Sequence, residues 1–215
     1  MFGLLVLVVY LIIVARVFYQ MWLDLDEFIS VDLDSASLNE QLQLQQLQDA
    51  IAIGFKFKKY YKPHELKTLV VEISNKTNVH TIYVDWERCS LADFEDGSQR
   101  IVRIVPGLSS LSQGQTFSLL PPTQKLEAEL TVESVLQSNE QGELVVTSPL
   151  FKSKDLFEAV KDKKRFTLLL VIEVSSLTVG ERRGSVHPLF CHFTLRKTPK
   201  QTTMYWVKEK KKKKK

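Results

Sequence analysis

Leu126-Glu127-Ala128-Glu129-Leu130-Thr131-Val132-Glu133 alternates apolar and polar residues over its whole length. A period of two puts Leu126, Ala128, Leu130 and Val132 on one face of a strand and the glutamates on the other, a half-buried strand with one wetted side. The same pattern recurs on both sides of it. Ile51, Ile53, Phe55 and Phe57 alternate with Gly54, Lys56 and Lys58, and Leu69, Val71, Ile73 and then Ile82, Val84, Trp86 follow. Residues 166–174 are nearly all apolar and read as a central strand covered on both sides, and Leu189, Cys191, Phe193 and Leu195 supply a last inward row.

Turn chemistry separates these runs: Asn75-Lys76-Thr77-Asn78, Glu95-Asp96-Gly97-Ser98 and Asn139-Glu140-Gln141-Gly142. Pro121-Pro122 stops pairing ahead of Leu126. Only residues 153–160 read as a helix inside this region, with Ser153 as its cap. Short strands at this spacing predict an all-β fold, an antiparallel immunoglobulin-like sandwich over residues 51–200, with an up-and-down barrel as the second choice.

Val70-Val71-Glu72-Ile73-Ser74-Asn75-Lys76-Thr77-Asn78, then Thr81-Ile82-Tyr83-Val84-Asp85-Trp86 and Asp96-Gly97, carry a resemblance. The stretch resembles the late-embryogenesis-abundant-type and FxLYD-type sandwiches, in which a strand ends at an Asn-rich turn before the next strand begins. The resemblance covers about 30 residues and departs where Lys76 stands in place of the usual proline after the Asn. It implies a sandwich domain of the kind tethered by one helix in prokaryotic envelopes, with a binding or structural role and no catalytic residue.

The amino terminus reads as one transmembrane helix, residues 1–23. From Phe2 to Ala15 only the Tyr10 hydroxyl breaks the apolar run, and Val17, Phe18, Tyr19, Met21, Trp22 and Leu23 resume it after Arg16. Twenty-two helical positions span about 33 Å, enough for a hydrocarbon core of about 30 Å. Nothing basic precedes Phe2 and no small-residue cleavage site follows, so the segment reads as an uncleaved anchor rather than a signal peptide. Arg16, Tyr19 and Trp22 cluster at the carboxyl-terminal end and suit the membrane interface. The positive-inside rule, resting on Arg16, puts the body on the cytoplasmic side.

Residues 24–50 contain seven acids and no Lys or Arg, and read as an acidic, Gln-rich neck that lifts the domain off the membrane. Ser37-Leu38-Asn39-Glu40 fits a capping box, and a short oligomerising helix is the alternative. Residues 201–215 form a basic tail. Its last eight residues carry seven Lys and one Glu, or +6; the remaining 207 residues hold 22 bases and 24 acids, or −2. The body is therefore not basic, which argues against nucleic acid. Trp206 with Lys208, Lys210, Lys211, Lys212, Lys213, Lys214 and Lys215 suits an anionic membrane surface or an acidic protein partner.

The signatures of the common catalytic and nucleotide-binding sites are missing from the sequence, and no residue set points to a cofactor. His187, Cys191 and His192, with Cys89 or His80, have metal-ligand chemistry, but strand parity sends Cys191 and His192 to opposite faces. Cys89 and Cys191 are either bridged or free, and Asn75-Lys76-Thr77 is a glycosylation sequon that also reads as a turn. The function expected from all this is a non-catalytic membrane-anchored interaction or scaffold protein. A membrane-tethered enzyme or small-ligand-binding domain with its site on the sandwich loops is the alternative.

Overall fold

The computed structural model describes residues 2–24, 28–176 and 184–198. Helix α1 (Phe2–Asp24) comes first. The body carries β1 (Ile29–Leu33), α2 (Ser35–Leu44), β2 (Ile51–Lys56), β3 (Leu69–Asn75), β4 (His80–Val84), β5 (Ser90–Ala92), β6 (Ser98–Ile104) and α3 (Leu111–Gln115). It continues with β7 (Ser118–Leu120), β8 (Lys125–Val132), β9 (Leu136–Ser138), β10 (Leu144–Val146), α4 (Ser153–Asp162), β11 (Arg165–Ser176) and β12 (Ser185–Lys197). Every pairing among these strands is antiparallel.

One ten-stranded sheet runs in the order β1-β12-β11-β5-β6-β8-β3-β2, and β4 lies on β11 with β7 beyond it. Strand β6 turns the corner between two layers. Its first residues, Ser98 to Arg100, pair with β5, and Ile101 to Ile104 pair with β8. At the other corner, Ile29 and Tyr61 exchange backbone bonds of 3.0 and 2.8 Å, so the sheet nearly closes on itself. The inward rows expected from the alternation of two fill the space between the layers. Val71, Ile73, Ile82, Val84, Trp86, Val132, Leu168, Leu170, Leu189 and Phe193 are buried.

An aromatic chain crosses this core. Phe55 and Phe57 of the β2 region meet the Phe193 edge at 4.8 and 5.6 Å, and Phe193 stacks on Phe166 at 4.8 Å. Phe166 then meets Phe151 at 5.0 Å, and Phe151 meets Phe94 at 4.7 Å. Edge-to-face and offset contacts of this kind add roughly 0.5–1.5 kcal/mol per pair beyond area burial.

Three local expectations are corrected. Residues 28–50 are not a neck. Strand β1 adds to the edge of β12 with Ile29 and Val31 buried, and Leu38, Leu42 and Leu47 enter the main core. Leu38 and Leu42, four positions apart on α2, form one helix face laid on the sheet. The cap of α2 is Asp34, whose carboxylate accepts from the Ser37 amide at 3.1 Å, so the Ser37 capping box does not form. Helix α4 begins at Ser153, one residue inside the cap position held by Lys152, and no side chain caps it.

Candidate membrane-proximal interface

Helix α1 has 23 residues, about 34 Å of backbone at roughly 1.5 Å each. Its described side chains cover every face of the helix, and from Val6 to Tyr19 all are exposed apart from half-buried Val14. Leu7 is 58% exposed, Leu11 55%, Ile12 61% and Phe18 63%, so the body leaves the described side chains of α1 largely bare. Arg16 and Tyr19 are exposed near its carboxyl-terminal end, while the Trp22 side chain lies outside the described residues. Among the described residues no helix is long and apolar enough to cross a membrane.

Only residues 25–27 separate α1 from Phe28, where the domain begins. Four Cα–Cα steps extend at most about 14 Å, so the domain starts within that distance of the helix end. Phe28 is buried, and its carbonyl accepts from the Thr198 amide at 3.0 Å. The chain therefore enters and leaves the domain at one corner. The tail residues Trp206, Lys208, Lys210, Lys211, Lys212, Lys213, Lys214 and Lys215 lie outside the described residues.

A third segment meets that corner, residues 55–62, FKFKKYYK. Tyr61 bridges to Ile29, and its hydroxyl accepts from the Lys58 amide at 2.9 Å. Tyr60 and Tyr61 are buried, while Lys58 and Lys59 are exposed. Lys58 Nζ stands 5.7 Å from the Tyr61 ring centre, Lys59 Nζ 5.4 Å from that of Tyr60, and Lys62 Nζ 5.8 Å from that of Phe28. Burial raises the Tyr61 pKa above its ordinary value. Lys56 is spent differently: it bridges Glu127 at 2.6 Å and Glu72 at 3.0 Å on the outer face, and hydrogen bonds to those carboxylates raise its pKa. In the alternation pattern Lys56 and Lys58 register only as the polar side of a strand, which hides the lysine–tyrosine run. Its signal was the interleaving of basic and aromatic residues.

The metal candidates are kept apart. Cys191 points into the core and His192 outward, where its Nδ1 lies 2.9 Å from the Thr167 hydroxyl. His187 Nδ1 lies 2.9 Å from Gln45 Oε1 and its Nε2 lies 2.7 Å from the Ser185 hydroxyl; partial burial lowers its pKa. Among the described residues no group of three or more His, Cys, Asp or Glu is placed to hold a metal ion.

Cys89 and Cys191 are both free and buried, and burial pushes each thiol up to about 12. They flank β11 from opposite sides, since Leu168 pairs with Cys191 on one side and with Leu91 on the other. Two strand spacings amount to about 9–10 Å, beyond the roughly 7 Å that a disulfide spans.

Among the described residues, concavities also lie away from this corner. One, of about 630 Å³, sits among the loops beside α4, between Asp93, Glu95, Phe151, Lys152, Asp155 and Glu158. Asp93 is engaged by its own turn, accepting from the Glu95 and Gly97 amides at 2.9 and 2.8 Å, and Glu158 faces Lys154 at 3.8 Å. Another, about 270 Å³, is a shallow dip beside Phe117. No family model, no curated protein and no solved structure matches this chain.

Proposed function

We propose that this protein is a non-catalytic interaction or scaffold module held at a membrane by α1. The observation that carries the reading is the exposure of α1 on all sides: an all-round apolar helix that its own domain leaves bare is stable in lipid, not in water. The body then lies on the cytoplasmic side, with Arg16 and Tyr19 at the interface and the tail lysines reaching anionic lipid or an acidic protein.

Strand order supports a binding domain of the immunoglobulin kind. The layer β2-β3-β8-β6 has the order of an ABED sheet, and β12-β11-β4 the order of its GFC partner. Strand β1 and helix α2 are additions to that plan on the β12 side.

The test is protease protection of a carboxyl-terminal tag in sealed vesicles of known orientation, after washing at alkaline pH. Retention in the membrane with the tag on the cytoplasmic side is the expected result. Release by the wash overturns the anchor, and a tag on the opposite side overturns the orientation alone.

A second reading, a small-ligand-binding domain on the same anchor, draws on the 630 Å³ concavity. Four acids against Lys152 and Lys164 favour a cationic ligand there. A panel of amines that leaves the melting temperature unmoved would exclude it.

A further inference from the structure

We propose that Lys58, Lys59 and Lys62 form a lipid-headgroup contact that seats the domain directly on an anionic bilayer. The proposal rests on α1 being a membrane anchor and names the surface of the body that the anchor brings to the lipid.

The argument begins with chain length. Residues 25–27 cannot lift Phe28 more than about 14 Å from the end of α1, because residues 28–50 are folded into the domain and provide no spacer. Whatever surrounds Phe28 is therefore near the headgroups. What surrounds it is the 58–62 turn: Lys62 Nζ lies over the Phe28 ring, and Tyr61 pairs with Ile29 next to it.

Chemistry points the same way. Among the described residues no carboxylate forms an ion pair with Lys58 or Lys59, whereas Lys56, two and three positions earlier, has two. The buried rings of Tyr60 and Tyr61 fix the turn and hold the lysine ammonium groups over aromatic faces, so little side-chain freedom is lost on contact. Lysines on an aromatic base are the composition that suits an anionic headgroup layer, where each is worth about a fivefold shift in occupancy. The same turn would otherwise serve to neutralise Asp24, Asp26 and Glu27 of the connecting chain, and the two roles differ in their response to lipid charge.

The test uses the full chain in nanodiscs of neutral phosphatidylcholine or of the same lipid with a third phosphatidylserine. An amine-acylating reagent is applied and labelling is read at each lysine by mass spectrometry. Lys154, 83% exposed on α4, is the internal control. Lys58 and Lys59 are expected to label at least about fivefold more slowly in the anionic discs, with the difference lost in 0.5 M salt and Lys154 unchanged. The same protection is expected in a chain whose residues 210–215 are Gln. Equal labelling in both lipids overturns the proposal in favour of pairing with the connecting acids. Protection that vanishes with the tail lysines overturns it in favour of the tail. A chain that never enters either disc overturns the anchor itself, a separate and earlier failure.

Discussion

Asn75 shows how one side chain positions a whole layer. It is 3% exposed, and its Nδ2 lies 2.8 Å from the His80 carbonyl and 3.1 Å from those of Leu120 and Pro121. Its Oδ1 accepts from the Thr77 amide at 3.0 Å and from the Thr77 hydroxyl at 2.7 Å. The amide thus closes the turn between β3 and β4 and ties it to the end of β7. A buried amide spent in this way is not offered to a glycosyl carrier, so the sequon reads as a turn. Asn75→Ala removes a donor shared by three carbonyls and the acceptor of the Thr77 amide and hydroxyl, and a loss of roughly 1–3 kcal/mol is expected, read as a lower urea midpoint with an unchanged slope. Trp86, fully buried, works similarly by donating its indole N–H to the Ser118 hydroxyl at 2.8 Å. Both residues were legible as apolar-row or turn positions. Their distant partners were not, because Leu120 and Ser118 of β7 lie 45 and 32 residues away in the chain.

At the scale of elements, the Gln-rich segment has a task that its composition did not suggest. Strand β12 pairs with β11 along one edge, but β1 covers the other edge only from Phe193 onward. Beyond that point α2 takes over. Gln41 accepts from the Phe190 amide at 2.8 Å and donates to the Phe190 carbonyl at 2.9 Å, mimicking a paired strand. Gln45, one turn later, donates to the Pro188 carbonyl at 2.9 Å, and Pro188 has no amide hydrogen left to satisfy. Two glutamines at i and i+4 thus blunt an edge that would otherwise template pairing with another chain. Gln41→Ala frees both groups of Phe190 to water. A cost of about 1 kcal/mol is expected, together with concentration-dependent self-association visible by light scattering. A variant that stays monodisperse would show that the edge needs no cover. Glutamines carry neither charge nor apolar periodicity, so by local pattern the segment reads as a spacer; what they cover lies about 150 residues further along the chain.

For the whole molecule, the consequence is where the domain begins. Ile29, Val31, Leu38, Leu42 and Leu47 all belong to the main core. Burying five such side chains contributes roughly 7–15 kcal/mol, as large as the net stability of an ordinary domain at about 5–15 kcal/mol. A chain that starts at Ile51 is therefore expected to lack a cooperative thermal transition and to bind ANS, whereas one starting at Phe28 melts cooperatively. A sharp melt from the Ile51 chain would show that β1 and α2 are ornaments. The sequence by itself determined the strands and their inward faces, since alternation with period two is a local property that burial on one side imposes. It also determined that α1 is apolar on every side. Tertiary structure alone decided that residues 28–47 join the sheet, that two glutamines close its edge, and that the lysine–tyrosine turn meets Phe28 and Thr198 at one corner. Those outcomes depend on which strands pair, as Ile29 does with Lys197, and local periodicity carries no information about partners so distant in the chain.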